Sequence, residues 1–547
     1  MGTKHYRSAS AYTPSIYRKK APVPKAPPLK NTFFLLFVFA TFVSNVGSWL
    51  FAIAAGWLMT DLGSSALAVS LVQTAALLPM LLLAVPAGTV GDLFDRRKII
   101  LYSQAFLIVN TLTFAYLVYR DLASVNLLLL FTLMNGVGAA FARPVMSAII
   151  PQLVEREHLR TAMSFTSISF NLSRAVGPVL AGILIAQFTI DLPFWVDGLS
   201  YAAVIAVIWT WVQEEDENDG GESLGRQPLT LAMGDSIRFL RHTPALYHSV
   251  LRSVVFFFGA GALWALLPLV AKVRLEGGAD LYGYLVGAAG VGAVGAGFLA
   301  NWLTARFGSN YLLVGVTFVM SIGLATLGFT TVPAVALVAS LLCGACWQSG
   351  FTSLITSAQY SLPKWYGARG MAYFIMAMSG SLALGSALWG WVADLTSISG
   401  AHYIAAGVGA VLAPLGLRFR LDQAEDADLR AVTDYASYRQ PTSDLPGGWV
   451  MTRIHYHLGN ADPQEAARRI RSLKNKRYRA GALRWGLYRH AGRQDELIEA
   501  FMEASWGQLK RHARQITRED EGQVRAFEQW LEEQGGSVER QMLEEVR

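Results

Sequence analysis

Twelve stretches of nearly unbroken apolar residues recur between about Asn31 and Leu417, several of them almost free of charge. Each is close to the roughly 20 residues a helix needs to cross a bilayer core. No other feature constrains the chain as much. In hydrocarbon every backbone polar group must be satisfied internally, and segments of this length do so as helices, not as barrel strands. The expected spans are Thr32 to Thr60, Ala66 to Val90, Ile99 to Tyr119, Asn126 to Ala142, Phe165 to Ala186 and Pro193 to Val212. Six more follow: Tyr247 to Val273, Tyr282 to Leu303, Tyr311 to Thr330, Pro333 to Leu354, Ala368 to Asp394 and Tyr403 to Leu417. With 53% hydrophobic and 16% charged residues in 547, the chain reads as an all-α membrane protein and not as a string of soluble domains. Cys343 and Cys346 form a CxxC inside an apolar span and are expected to be small buried residues, without redox or metal chemistry. No cofactor is expected.

Charge sets the orientation. Residues 1–31 carry Lys4, Arg7, Arg18, Lys19, Lys20, Lys25 and Lys30 and no acid. This segment is too polar and proline-rich for a signal peptide. It reads as a disordered cytoplasmic tail beside an anionic leaflet, and not as a nucleic-acid arm. Threading the spans from a cytoplasmic start places Arg96, Arg97, Lys98, Arg143, Arg156, Arg160, Arg238, Arg241, Arg306, Lys364, Arg369, Arg418 and Arg420 inside. Only Arg120, Lys272 and Arg274 fall outside. The positive-inside rule therefore predicts an even span count with both termini cytoplasmic.

A loop over 213–246, opening with Glu214-Glu215-Asp216-Glu217, divides an N-terminal six-helix half, 32–212, from a C-terminal half, 247–420. Its Ile237, Phe239 and Leu240, beside Arg238 and Arg241, fit either a short helix on the membrane surface or a solvated loop helix without function. Glycines at 283, 287, 290, 292, 295 and 297, and again at 380, 385 and 390, suit close helix contact. Those faces either slide during function or pack statically.

The string Gly88-Thr-Val-Gly-Asp92-Leu-Phe-Asp95-Arg96-Arg97-Lys98 resembles the signature loop of the major facilitator superfamily, a Gly, three residues, an Asp and then a basic pair. The resemblance implies that Gly88, Asp92, Arg96 and Arg97 hold an inner gate shut, with the acid at the start of the eleventh helix. Leu93 stands where most members have Arg. Asn171-Leu-Ser-Arg174-Ala-Val-Gly177-Pro178-Val-Leu-Ala-Gly182 is similar to the Gly-Pro motif of that superfamily's exporters. It implies a pliable fifth helix in which Pro178 lacks one hydrogen bond and Gly177 and Gly182 admit a partner.

RPVMSAIIPQLV from Arg143, GDSIRFLRHTP from Gly234, ARG at Ala368 and GSALWGWVAD from Gly385 narrow the resemblance to the enterobactin-exporter-like branch, the transmembrane secretion effectors. That implies a bacterial inner-membrane protein, exporting a small amphiphilic molecule such as a siderophore or drug in exchange for protons. The fourth span lacks the mid-helix arginine common in proton-coupled drug exporters.

Charges inside spans invite a functional reading. Arg174 and Asp197 are candidates for proton coupling, as a pair across neighbouring helices; Asp197 is alternatively a water-exposed residue near the outer end. Arg252 is expected to snorkel to the inner surface. In the architecture the resemblance implies, the substrate lies at the midplane between the halves, which points to Asn45, Asn135, Phe257, Trp264, Trp347 and Gln348. Aromatic walls with a few amides suit a large, weakly charged amphiphile; any one of these rings also fits ordinary helix packing.

After a linker over 421–448, the charged segment 449–547 is expected to form a separate α+β domain. Its elements are a strand Val450 to Leu458, a helix Pro463 to Leu473, a strand Ala482 to Tyr488 and a helix Asp495 to Leu509. Arg479-Ala-Gly481-Ala482-Leu-Arg-Trp485, Ser505-Trp506, His512, Arg514, Thr517 and Asp520 resemble the cytoplasmic ferredoxin-like domain appended to members of the same branch. That fold is shared with monooxygenases that dimerise side by side. A regulatory module, and a homodimer through it, is one expectation; a membrane-anchored enzyme or sensor is the competing one, with His490 and His512 on a charged surface.

Overall fold

The structure, a computed structural model, describes residues 27–63, 65–211, 238–363, 366–421, 449–493, 495–506, 508–509 and 516–544, without the side chains of 85, 89, 91–93, 156, 368 and 369. Most of the basic tail, the acidic run Glu214-Glu215-Asp216-Glu217, Ile237, the linker beyond Leu421, His512 and Arg514 lie outside the described residues.

Among these residues eleven helices are long and apolar enough to cross a membrane. They are α1 (Thr32–Asp61), α2 (Ala66–Leu93), α3 (Arg96–Tyr119), α4 (Val125–Leu153), α5 (Leu159–Gln187), α6 (Leu192–Thr210), α7 (Pro244–Leu269), α8 (Ala279–Phe329), α9 (Pro333–Tyr360), α10 (Gly367–Leu395) and α11 (Ile398–Leu415). Short polar residues start several of them: Asn31, Ser65, Asp95, Ser124 and Ser397 each accept a hydrogen bond from a first-turn amide.

Helix α8 has 51 residues, and a straight helix of that length would run about 75 Å, more than twice a bilayer core. It is interrupted at Gly308, whose φ of 71° and ψ of 151° lie outside the helical region. Arg252 of α7 stitches the break. Its guanidinium donates to Asn310 Oδ1 at 2.6 Å and to the Asn310 carbonyl at 3.3 Å, and the Leu421 amide donates to the same Oδ1 at 3.0 Å. Arg252 is thus buried rather than snorkelling, because a partner for its donors lies beside it inside the protein.

Two further expectations change. The Gly88 to Asp92 segment is the last part of α2 and not a loop, leaving Phe94 and Asp95 as the whole link to α3. Helix α4 does not stop at Ala142 but runs to Leu153, accommodating Pro144 and Pro151. Arg143 therefore belongs to the helix, about 27 Å along it, and not to an inner loop.

Beyond residue 448 the chain forms β1 (Val450–His457), α12 (Pro463–Arg479), β2 (Arg484–Arg489), β3 (Glu496–Glu503), α13 (Arg518–Glu533) and β4 (Ser537–Glu544), with an antiparallel sheet in the order β2-β3-β1-β4. Ile454, Tyr456, Ile470, Phe501, Phe527 and Leu531 close the core between sheet and helices. The helix expected over Asp495 to Leu509 is instead strand β3. ELIEAFME is rich in helix formers, yet pairing on both sides, with β1 and β2, overrides that local preference.

A buried charge fixes this domain. Glu499, wholly buried, pairs with the Arg477 guanidinium at 3.0 and 3.1 Å and accepts from Tyr456 and Trp485, both at 2.8 Å. Burial by itself would raise its carboxyl; the Arg477 charge and these hydrogen bonds outweigh it and hold the group below the usual carboxylate range. A folded value below the unfolded one means that the stabilisation is present above about pH 4.3 and is lost as pH falls through the folded value. Glu499→Gln should leave Arg477 buried without its counter-charge and cost the domain about 3–5 kcal/mol, read as lost hydrogen-exchange protection in β1 and β3 of the full chain. Unchanged protection would show that the pair is dispensable.

Candidate functional site

The two halves, α1 to α6 and α7 to α11, meet along two helix seams at the end of the bundle away from the C-terminal domain. On one seam α5 and α8 touch backbone to backbone. A Cβ on Gly182 would lie 2.8 Å from the Ala279 carbonyl oxygen, one on Gly283 would lie 2.6 Å from that of Pro178, and one on Gly290 would lie 2.8 Å from that of Arg174. On the other, Asp394 at the end of α10 accepts from the Ala66 and Leu67 amides, at 2.7 and 3.0 Å, so a carboxylate caps the positive start of α2. Farther along this seam, Thr74 donates to the Ala383 carbonyl at 2.9 Å. Between the seams Lys272 bridges Thr60 O and Asp61, both at 2.8 Å, and Trp57 stacks on Tyr282 with centroids 6.3 Å apart.

Towards the domain end the seams part. Cβ atoms placed on Gly88 of α2 or Gly297 of α8, each two turns beyond a seam contact on the same face (Leu81 and Gly290), would meet nothing within 4 Å.

Where the seams part, a polar and aromatic group gathers. Arg174 on α5, 7% exposed, reaches across to the other half: Nη1 donates to Gln348 Oε1 at 3.4 Å, and the guanidinium lies 5.5 Å from the Trp264 ring and 5.9 Å from the Trp347 ring. Trp347 meets Trp264 and Phe257 edge to face at 5.5 and 5.1 Å, and Trp49 on α1 tilts towards Trp264 at 6.5 Å. Phe257, Trp264, Trp347 and Gln348 are brought together; Asn45 is half-buried on α1. Trp49 was missed, although it stands four residues, one turn, beyond Asn45.

Asp197 forms a second cluster within the first half. It is wholly buried, so the water-exposed alternative does not hold. Its Oδ2 accepts from Tyr201 at 3.2 Å, Oδ1 has no partner among the described residues, and Ser48 and Asn135 also engage the Tyr201 hydroxyl. Asn135 donates to Thr111 at 3.3 Å as well. Gly47 admits this cluster against α1, since a Cβ there would lie 2.8 Å from Asp197 Oδ1.

The expected Arg174 to Asp197 pair does not form. Arg174 lies 13 residues from the end of α5 and Asp197 five from the start of α6, depths of about 20 and 8 Å. The arginine also turns outward to the other half, a direction that depth along a helix does not reveal. Tyr201 and Ser48 went unrecognised in the sequence; Tyr201 sits one turn beyond Asp197, a spacing that could have flagged it.

Of the residues expected at a gate, Arg96 donates to the Ala148 carbonyl at 3.3 Å and Arg97 to that of Trp209 at 2.5 Å, binding α3 to α4 and α6. The Asp92 side chain lies outside those described. Gly177 lets α1 approach α5, with Trp49 Cβ 2.6 Å from where its own Cβ would be, and Pro178 offers its carbonyl to the Gly283 contact.

The C-terminal domain touches the same end. Helical residues Arg238–His242 dock on α12: Arg238 donates to the Gly481 carbonyl at 3.0 Å, and His242 stacks on Tyr478 at 4.4 Å with its Nδ1 3.2 Å from Asn475 Oδ1. On the membrane side Phe239 packs on Tyr366, at the start of α10, with centroids 4.1 Å apart.

Comparison with known proteins agrees with this architecture. The transmembrane secretion effector family matches residues 24–546. The Staphyloferrin A transporter of Staphylococcus aureus is 27% identical over 168 residues, 30% of this chain and 42% of its own length, so the chain spans well under half of that relative. Multidrug efflux pump Tap of Mycolicibacterium fortuitum is 28% identical over 39% of the chain and 53% of its own length. Among solved structures the nucleoside transporter NupG, 11% identical, superposes with a TM-score of 0.60 over 71% of this chain and all of its own; the xylose transporter XylE of E. coli, 15% identical, does so at 0.53 over 70% and 96%. The family match favours the transporter expectation over the competing enzyme one. The chain belongs to the transmembrane secretion effector family of major facilitator transporters, multi-pass membrane proteins that are not enzymes.

Proposed function

We propose that this protein exports a small amphiphilic organic molecule across a bacterial inner membrane in exchange for protons, by alternating access. One observation carries the reading: the halves are joined at one end and parted at the other, around an aromatic and polar group at the level where they separate. On this reading the 51-residue helix, broken at Gly308, is two crossings, for twelve in all with both termini in the cytoplasm. The parted end then faces inward, and Asp394, Lys272 and the α5–α8 glycines form the closed outer gate. When access alternates, Asp92, Arg96 and Arg97 close the inner one. Asp197 is the proton carrier. The family's efflux relatives, Tap and the macrolide efflux protein A of Streptococcus pyogenes, support the outward direction.

The β-α-β-β-α-β order of the tail is that of a ferredoxin-like domain. We assign it a regulatory role, because Phe239 and Tyr366 connect its docking helix to the start of α10, and side-by-side dimerisation belongs to the same reading. Proton release from inverted vesicles, challenged with siderophores, macrolides and phenicols, tests the whole. A substrate-dependent signal is expected, and it should survive deletion after Leu421, which keeps that residue's bond to Asn310. Silence from inserted protein towards every compound would sink the export reading; total loss on truncation would sink the division of labour.

A further inference from the structure

Arg174 is a cation in the middle of a membrane-spanning helix whose needs the protein itself leaves largely unmet. A guanidinium carries five N–H donors and never loses its charge. Among the described residues one acceptor meets them, Gln348 Oε1 at 3.4 Å, a neutral amide oxygen at long range, and Nε has no partner. Among the described residues no carboxylate pairs with it; the nearest buried acid in sequence, Asp197, is engaged by Tyr201 instead. The Trp264 and Trp347 rings give the cation a favourable electrostatic face but no oxygen for its fork. Such a residue is costly to keep in a span and calls for a named partner.

Position supplies the rest. The Arg174 carbonyl approaches Gly290 where the α5–α8 contact ends, and two turns farther along the same face of α8 Gly297 meets open space. The side chain therefore stands at the floor of the open side, extends from one half to the other, and is flanked by flat apolar walls.

We propose that Arg174 is the anion-recognition residue of the cargo site, and that the molecule carried bears a single carboxylate on an apolar, ring-bearing body. The carboxylate takes two guanidinium donors in parallel, the geometry that Arg offers and Lys does not. The body lies against Trp264 and Trp347, and Gln348 adds a polar contact beside the head group. This deepens the export reading and rests on it: the substrate has one negative charge, and the residue that reads it belongs to one half while the walls belong to the other. Binding the anion ties the halves through the cargo as well as through the protein.

The experiment uses the full chain in nanodiscs and follows energy transfer from tryptophan to dansyl. Dansylglycine and dansylglycinamide share the fluorophore and differ in the carboxylate. Wild type should bind the acid at least about tenfold tighter than the amide. Arg174→Gln should bring the two within about twofold by weakening the acid alone, and Arg174→Lys should keep an intermediate preference, since it retains charge but not the fork. A merely structural arginine would not make affinity depend on the charge of the probe. Equal binding of acid and amide by the wild type overturns the proposal, as does a preference that persists in Arg174→Gln. Either result leaves the vesicle measurement of export standing on its own. A carboxylate preference that needs Arg174, in a protein that releases no protons in vesicles, would keep the anion site and remove the export reading.

Discussion

Asp197→Asn is expected to uncouple the protein from the proton gradient, lowering substrate-driven proton release by about 5–150-fold, the span of a typical coupling free energy between two sites. The substitution keeps the shape of the side chain and an acceptor for the Tyr201 hydroxyl, now 3.2 Å from Oδ2, while removing the site that takes up a proton. The loss should therefore appear in coupling and not in folding, with elution and thermal stability close to wild type. Asp197→Glu should restore part of the signal. The position of the cluster explains how the proton could bias the cargo site. Gly47, Ser48 and Trp49 follow one another on α1: Gly47 lies against Asp197, Ser48 engages the Tyr201 hydroxyl, and Trp49 leans on Trp264 and hence on the Arg174 group. A change of charge at Asp197 thus acts on the same helix turn that supports the aromatic wall. Proton release that survives Asp197→Asn within twofold would move the carrier elsewhere.

Apolar helices were legible because apolar length is a signal that needs no partner, though the spans expected at Tyr282 to Leu303 and Tyr311 to Thr330 fall in one helix, so that eleven and not twelve are found among the described residues. What sequence left out depends on direction and on neighbours. The end of α4 was placed before Arg143-Pro144, a pair that reads as a stop, yet the helix continues for ten residues beyond Arg143. Strand β3 was hidden by its composition, since only the flanking strands make ELIEAFME extended. Within the site, Phe257, Trp264, Trp347 and Gln348 came from their helix positions and do gather. Arg174 was identified as unusual but given the wrong companion, because distance along a helix fixes depth and not azimuth. Tyr201, Ser48 and Trp49 were passed over as ordinary span residues; each lies within one turn of a residue already singled out, so a search along i+3 and i+4 would have found them.

Gly283→Val should push the protein towards the state open on the outer side. A Cβ there would approach the Pro178 carbonyl oxygen to 2.6 Å and Gly182 Cα to 3.0 Å, backbone atoms that cannot rotate away. Overpacking of this kind costs about 1–3 kcal/mol. The cost falls only on the conformation in which α5 and α8 are pressed together. If the halves swing apart at this seam when the outer gate opens, the valine is free of strain there, and the balance between the two conformations shifts by roughly 5–150-fold. The check is reaction of a Lys272→Cys reporter with an impermeant maleimide; the native Cys343 and Cys346 are buried and contribute little background. Labelling from the outer side should rise with Gly283→Val, and the inner-facing signal should fall. Lys272 itself bridges the halves through Asp61 and Thr60, so the reporter alone sets the baseline. The same experiment decides between the two readings of the small-residue faces. A static interface would answer the valine with lost folding and no change in sidedness, whereas a sliding one answers with a change of sidedness in a folded protein. Asp394 distinguishes the gate from the seam: its carboxylate caps α2 across the halves on the other side of the bundle, so Asp394→Asn should shift labelling in the same direction by a smaller factor, about two- to fivefold for a lost charge at a helix start.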